Sequence, residues 1–183
     1  MTWSVDKRLA WSIGVALGGI ALTLAATFLP RREVHHALSV NVFECQNVDR
    51  GARACTAFGR LSIGNTGNVE QSEVRVHFPG EAAQWRVGTR VFDIRASAVK
   101  RPPPAISERR EAGAVVYEIR PLPENTVVDF ECQCVRCPEE TVRAFLPDRI
   151  RIEAAGRVAE GDPRVTTLLR GLMNLLRVVL PVA

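Results

Sequence analysis

Hydrophobic and polar residues alternate along most of the middle of the chain. The clearest run is VRVHF at 74–78, in which Arg75 and His77 separate three apolar residues. Because successive side chains of a strand point to opposite faces, this run predicts a strand with one buried face and with His77 exposed. Similar alternation recurs at 60–63, 91–96, 115–120, 127–132 and 149–154.

Turn-forming residues separate these runs. GNTGN at 64–68 is a strong turn signal, since Gly and Asn tolerate positive φ. The segment RPPPAISERREAG at 101–113 is expected to be a stiff, charged loop, because consecutive prolines favour an extended polyproline conformation. About seven or eight short strands with no helix between them predict a mainly β fold, a single antiparallel β-sandwich over residues 38–158.

Two of these segments carry a family resemblance. RLSIGNTGNVEQSEVRVHFPG at 60–80 and VVYEIRPLPENTVVDFECQC at 115–134 resemble bacterial immunoglobulin-like domains of the CARDB type. In that family a strand, an N-x-G turn and a second alternating strand are followed later by a leucine–proline turn before a strand. The resemblance covers roughly 57–134 and implies an immunoglobulin-like sandwich with a binding, spacing or assembly role. It brings no catalytic residues with it.

An uncharged, almost wholly apolar stretch at 11–29 precedes the predicted strands. At about 1.5 Å per residue its helical length is roughly 28 Å, close to the hydrocarbon thickness of a bilayer. The pattern predicts a transmembrane helix after a short tail at 1–10 and before a juxtamembrane linker at 30–37. Within that linker His35 and His36 are expected to be solvated.

The charges on either side of this stretch are nearly balanced. Lys7 and Arg8 precede it, and Arg31 and Arg32 follow it, so the positive-inside rule does not settle the orientation. The short basic start is typical of a signal sequence, and five cysteines favour an oxidising compartment. We expect a retained signal anchor in the cell (inner) membrane, single-pass, with the sandwich periplasmic or extracellular. A cleaved signal sequence and a cytoplasmic domain remain the alternatives.

The end of the chain predicts an amphipathic helix at 162–181. Asp162 is a capping residue followed by proline, and apolar residues then recur every three or four positions. A stripe this apolar must be buried, and three surfaces could bury it. They are the chain's own sandwich, the bilayer, and a partner, either another protein or a second copy of the chain. The residues expected to contact a partner or the membrane are Leu168, Arg170, Leu172, Leu175, Arg177 and Val179.

The cysteines fall into two groups. Cys45 and Cys55 flank a polar loop, and if the flanking strands form a hairpin they can reach disulfide distance. Cys132, Cys134 and Cys137 form a C-x-C-x-x-C motif with three interpretations: structural disulfides with one thiol left over, a cysteine-ligated metal site, or a redox-active pair.

Composition narrows the function classes without selecting one. The formal net charge is +4 with no dense Lys/Arg block, so nucleic-acid binding is not expected. No Ser/His/Asp set, phosphate loop or paired-carboxylate spacing indicates an enzyme, and no cofactor is expected. The sequence favours a membrane-anchored binding or scaffolding module, a subunit or accessory of a membrane or envelope complex, whose protein partner is unidentified. The alternative is a membrane-tethered thiol redox or metal module built on Cys132, Cys134 and Cys137.

Overall fold

The computed structural model describes residues 29–48, 52–80, 85–94, 102–143 and 147–179, with the side chains of the C-terminal helix described as far as Met173. The chain divides into two compact units, Met1–Pro30 and Arg31–Ala183. None of the helices in the described ranges is long and apolar enough to span a bilayer. The predicted tail and all but the last residue of the predicted membrane helix lie outside those ranges.

The second unit is built mainly from strands. They are β1 (Glu33–Val48), β2 (Ala52–Asn65), β3 (Val74–Pro79), β4 (Arg86–Asp93), β5 (Ala105–Glu111), β6 (Ala114–Arg120), β7 (Thr126–Pro138), β8 (Arg151–Ala154) and β9 (Arg157–Glu160). The described helices are α1 (Glu139–Arg143), a 3-10 turn (Pro147–Arg149) and the C-terminal α2 (Pro163–Val179). The prediction of a mainly β fold is confirmed.

The strands form two sheets. One has five strands in the order β4-β7-β2-β1-β9, and the other has four in the order β5-β6-β3-β8. Neighbouring strands are antiparallel except β1 and β9, which are parallel. The long hairpin β1–β2 and strand β7 make up the centre of the larger sheet.

The core lies between the two sheets. Phe130 of the larger sheet contacts Tyr117 and Phe78 of the smaller one, with ring centroids 5.2 Å and 6.0 Å apart. In β3 the predicted alternation is confirmed, since Val74, Val76 and Phe78 are buried and the residues between them are half-buried. Each such side chain contributes roughly 1.5–3 kcal/mol when it leaves water, which makes this interlayer contact the main source of stability.

The segment predicted to be a linker is instead the first part of β1. That strand begins at Glu33, Val34 is fully buried, and His36 pairs with Glu160 of β9. The sequence could not show this because the segment lies between two partners, the end of β2 at 62–65 and β9, a four-residue strand more than a hundred residues away.

The segment predicted to be a charged loop contains an edge strand. Residues Ala105–Glu111 form β5 and pair with β6, and only Ile106 of this strand is partly buried. Because Glu108, Arg109 and Arg110 are all charged and exposed, this strand shows no alternation of apolar and polar residues in the sequence. Charged residues are a common protection against edge-to-edge aggregation, which explains why an edge strand has this composition.

The C-terminal helix begins where the sequence predicts. The Asp162 carboxylate accepts a hydrogen bond from the backbone N–H of Arg164 at 2.8 Å, which is the expected N-cap. The residue after Asp162, Pro163, packs against Gly64 of the larger sheet. A Cβ added at Gly64 would overlap the ring of Pro163. The absence of a side chain at Gly64 therefore lets the first turn of α2 lie directly on the sheet.

Candidate functional site

The outer face of the five-stranded sheet is divided between the start of α2 and an open groove. The groove has a volume of about 690 Å³ and crosses four strands. The registers of those strands align its side chains in two rows. One row contains Gly88, Glu131, Arg60 and Ser39, and the next contains Arg86, Gln133, Phe58 and Asn41.

The groove is positively charged overall. Glu131 lies between two arginines, 3.2 Å from Arg90 Nε and 3.6 Å from Arg60 Nη2. Arg86 adds another exposed guanidinium to the lining. These ion pairs are exposed, since the side chains of Arg60 and Arg90 are 55% and 66% accessible, and such pairs hold little free energy, so an incoming anion can compete for the arginines.

An aromatic ring and a missing side chain shape the floor of the groove. Phe58 is 42% exposed although it lies on the polar face of β2. Gly88 opens the side at β4, because a Cβ added there would meet only a carbonyl oxygen of Glu131 at 3.9 Å. An arginine can bind a carboxylate through two parallel hydrogen bonds, and Phe58 offers apolar contact beside it. The groove therefore suits a ligand that is anionic and partly apolar.

A buried carboxylate connects this groove to the start of α2. Asp129 is almost fully buried, and its Oδ2 lies 2.6 Å from Arg164 Nη2 of the helix and 3.9 Å from Arg60 Nε of the groove. Arg164 also donates to Ser62 Oγ at 3.3 Å and lies over the Phe92 ring at 5.2 Å. Asp129 Oδ1 has no hydrogen-bond partner among the described residues. The pairing with Arg164 is thus the main compensation for this buried charge.

The two faces of α2 have opposite environments. On the polar face Thr167 is buried, and Arg170 donates to the Thr66 carbonyl oxygen and to the Glu33 carboxylate. The apolar face is exposed. The side chains on this face are 52–66% accessible to solvent. The described ones are Val165, Leu168, Leu169, Leu172 and Met173.

These exposures exclude one of the three surfaces that were expected to bury the apolar stripe. The chain's own sandwich does not bury the described part of it, because the sandwich binds the opposite face through arginines. Leu168 and Leu172 are available for a contact, whereas Arg170 already has partners within the chain. Leu175, Arg177 and Val179 lie beyond the described side chains.

The cysteines form two close pairs. Cys45 and Cys55 are directly opposite across the β1–β2 hairpin at disulfide distance, in agreement with the predicted pairing. Cys134 and Cys137 form the second pair and leave Cys132 as a buried thiol, whose pKa burial raises to about 12. In the described part of the chain no three His, Cys, Asp or Glu side chains are grouped as metal ligands.

A histidine lies beside the attachment of α2. His35 Nδ1 and Thr66 Oγ1 are 2.8 Å apart, and its Nε2 is 3.9 Å from the Glu33 carboxylate that binds Arg170. Burial lowers the pKa of His35, and the positive charge of Arg170 lowers it further, while Glu33 opposes both. The imidazole is therefore expected to be neutral at pH 7.

Sequence reasoning missed the groove, although one signal was present: Phe58 is an aromatic residue among the polar positions of its strand. The rest of the groove depends on the registers of three strand pairs, which alternation alone does not give. No family model matches the chain, and no curated protein matches its sequence.

Proposed function

We propose that the chain is a membrane-anchored binding module whose sandwich holds an acidic segment of another protein in the groove of the five-stranded sheet. It would serve as a subunit or accessory of a membrane or envelope complex. The observation that carries the proposal is the groove, which combines exposed arginines with an exposed aromatic ring on a rigid sheet. An immunoglobulin-like topology of the CARDB type is part of the same proposal.

The size and charge of the groove support a peptide ligand. About 690 Å³ lies within the range of roughly 300–1,000 Å³ found for pockets that bind small ligands, which is room for the side chains of a short segment. Where β4, β7 and β2 meet on this face, the described side chains include four arginines, Arg60, Arg86, Arg90 and Arg164, and the carboxylates of Asp129 and Glu131. Arginine and aromatic residues are enriched among the side chains that contribute most to protein–protein binding. An acidic segment with one apolar residue matches both features.

The anchor and the cysteines support a location at the membrane, outside the cytoplasm. The apolar stretch at 11–29 is long enough to span a bilayer. Two cysteine pairs at disulfide distance are typical of an oxidising compartment. A fusion of alkaline phosphatase after Ala183 should therefore be active in a bacterial host, and an inactive fusion would reverse the proposed orientation.

The thiol alternative has less support from the structure. A redox or metal-binding cysteine needs an accessible thiolate. Cys132 is 1% exposed with a raised pKa, and Cys134 and Cys137 are 1% and 6% exposed and face each other. These surroundings suit structural roles better than exchange with a substrate.

Site-specific photocrosslinking in native membranes tests the groove. A photoreactive amino acid at Gln133, in the groove, should give a discrete adduct with a protein, whereas one at Ser107, on the exposed edge strand of the other sheet, should not. Arg86→Glu should reduce the adduct about tenfold, since it reverses a charge facing the ligand. Arg109→Glu makes the same charge change on the other sheet and should leave the adduct unchanged. Equal adducts at both positions, or equal effects of the two substitutions, would refute the proposal.

A further inference from the structure

We infer that the exposed apolar face of α2 lies on the lipid bilayer, so that the helix holds the sandwich against the membrane surface. This inference rests on the membrane anchoring proposed above. It assigns a bilayer, rather than a protein, to the stripe of Val165, Leu168, Leu169, Leu172 and Met173.

The first support is the place where α2 is attached. Arg170 binds Glu33 and the carbonyl oxygen of Thr66. The same loop holds the beginning of the sandwich, because Arg31 N donates to Asn68 Oδ1 at 2.6 Å and Asn68 N donates to Arg31 O at 3.2 Å. The helix is thus fixed to the end of the sandwich at which the chain comes from the proposed anchor.

The length of chain between the anchor and this attachment is short. Three residues lie between the end of the predicted span, Leu29, and Glu33, and the four residue steps cover at most about 14 Å even when fully extended. A helix with its side chains is about 10–12 Å across, so α2 cannot be far from the headgroup region if the span ends at Leu29. The anchor keeps the helix at high effective concentration near the surface, and a weak affinity for lipid is then sufficient.

The second support is the separation of the two helix faces. Arg164 and Arg170 are bound to Asp129 and Glu33, so the sandwich occupies the polar side. The side left free is the apolar one, with five large side chains at least half exposed. A helix lying in a membrane interface buries such a face roughly 5–10 Å deep. On the polar side of α2, the sandwich replaces the water and lipid headgroups that usually contact such a helix.

Fluorescence of the full-length chain in nanodiscs tests this arrangement. Leu172→Cys would carry an environment-sensitive nitrobenzoxadiazole label, and Ser107→Cys would carry the same label on the edge strand β5. The native cysteines should not react, because four are paired and Cys132 is buried with a raised pKa. The discs would contain phosphatidylethanolamine and phosphatidylglycerol, with and without spin-labelled lipid.

We expect blue-shifted emission at position 172 and quenching by spin-labelled lipid about fivefold stronger than at position 107. Leu168→Asn should weaken that quenching without unfolding the sandwich, because Leu168 is 66% exposed. Unshifted, unquenched emission at position 172 in folded protein would overturn the inference. So would a disulfide between position 172 of two copies without lipid quenching, which would assign the stripe to a second copy.

The failure of this inference can be distinguished from failure of the proposed function. Resistance to alkaline carbonate extraction reports on the anchor, and the adduct at Gln133 reports on the groove. A chain that resists extraction and forms the adduct but shows no quenching at position 172 refutes the helix placement alone. A chain that is extracted by carbonate loses the anchor on which the inference rests, and that result overturns the inference as well.

Discussion

The ion pair between Arg164 and Asp129 gives the most specific stability prediction. The Asp129 side chain is 2% exposed and that of Arg164 is 33% exposed, at 2.6 Å. Removing one partner of a fully buried pair costs about 3–5 kcal/mol, and breaking an exposed pair costs about 0–1 kcal/mol. Because the arginine is partly solvated, we expect Arg164→Met to cost about 2–3 kcal/mol of unfolding free energy.

The two partners should not be equivalent. Arg164→Met leaves a buried carboxylate with one oxygen already unpartnered among the described residues, whereas Asp129→Asn leaves a guanidinium that water can reach. Asp129→Asn should therefore cost only about 1 kcal/mol. In the double variant, which no longer has a buried unpaired charge, a coupling energy of about 1–2 kcal/mol should appear.

Chemical denaturation of the full-length chain in detergent micelles measures these differences. Trp85 is buried and its Nε1 donates to the Thr141 carbonyl oxygen at 3.2 Å, so its fluorescence reports on the sandwich once Trp3 and Trp11 are replaced by Phe. For a domain of this size each 1 kcal/mol shifts the melting temperature by about 2–4 °C, so Arg164→Met should lower it by about 4–12 °C.

A matched control is available in α1. Arg143 and Glu139 form an ion pair at 2.8 Å whose arginine is 70% exposed. Arg143→Met should cost less than about 0.5 kcal/mol, because water replaces the lost contact. If Arg164→Met costs no more than Arg143→Met, burial of Asp129 does not determine the strength of the attachment and the reasoning fails.

Three further predictions concern single residues. Burial lowers the pKa of His35, so the unfolded chain binds its proton more readily; stability should be level above about pH 6.5 and decrease as the pH falls below it. Denaturation midpoints across this range should show a smaller loss in His35→Gln, and a midpoint that rises on acidification would contradict the sign. Gly64→Ala should cost about 1–3 kcal/mol, because its Cβ would overlap Pro163 and displace the start of α2. A wild-type melting curve for this variant would exclude that contact. Cys132 should resist iodoacetamide at pH 8 in the folded chain and react after denaturation, as mass spectrometry of the peptide can show, and prompt alkylation would contradict its burial.

Strong local patterns made part of the fold predictable. β3 was found because its alternation is complete, and Cys45 and Cys55 were paired because a hairpin brings residues ten positions apart together. The periodicity of α2 predicted the apolar stripe, and Arg170 was expected to contact a partner or the membrane beside it. The structure shows that Arg170 binds Glu33. The helix sequence alone could not predict this contact, because Glu33 is far away in the sequence.

The elements that were missed are those whose pattern is weak without their neighbours. β5 has one partly buried side chain, and β9 has four residues. The groove was missed for a related reason, since Arg60, Glu131 and Gly88 become neighbours only through the registers of β2, β7 and β4. Register follows from pairing across the sheet, which a single sequence with modest alternation leaves undetermined.

The position of β1 has a mechanical consequence. This strand begins at Glu33, next to the proposed anchor, and further along it contributes Ser39 and Asn41 to the groove. A force between the membrane and a molecule bound in the groove would act along β1. Its hydrogen bonds to β2 and β9 would then bear this force at the same time. Bonds loaded in this direction must break together, so this strand would transmit tension without peeling open from one end. With the proposed anchor and a segment bound in the groove, the sheet that forms the groove would also carry force from that segment to the bilayer.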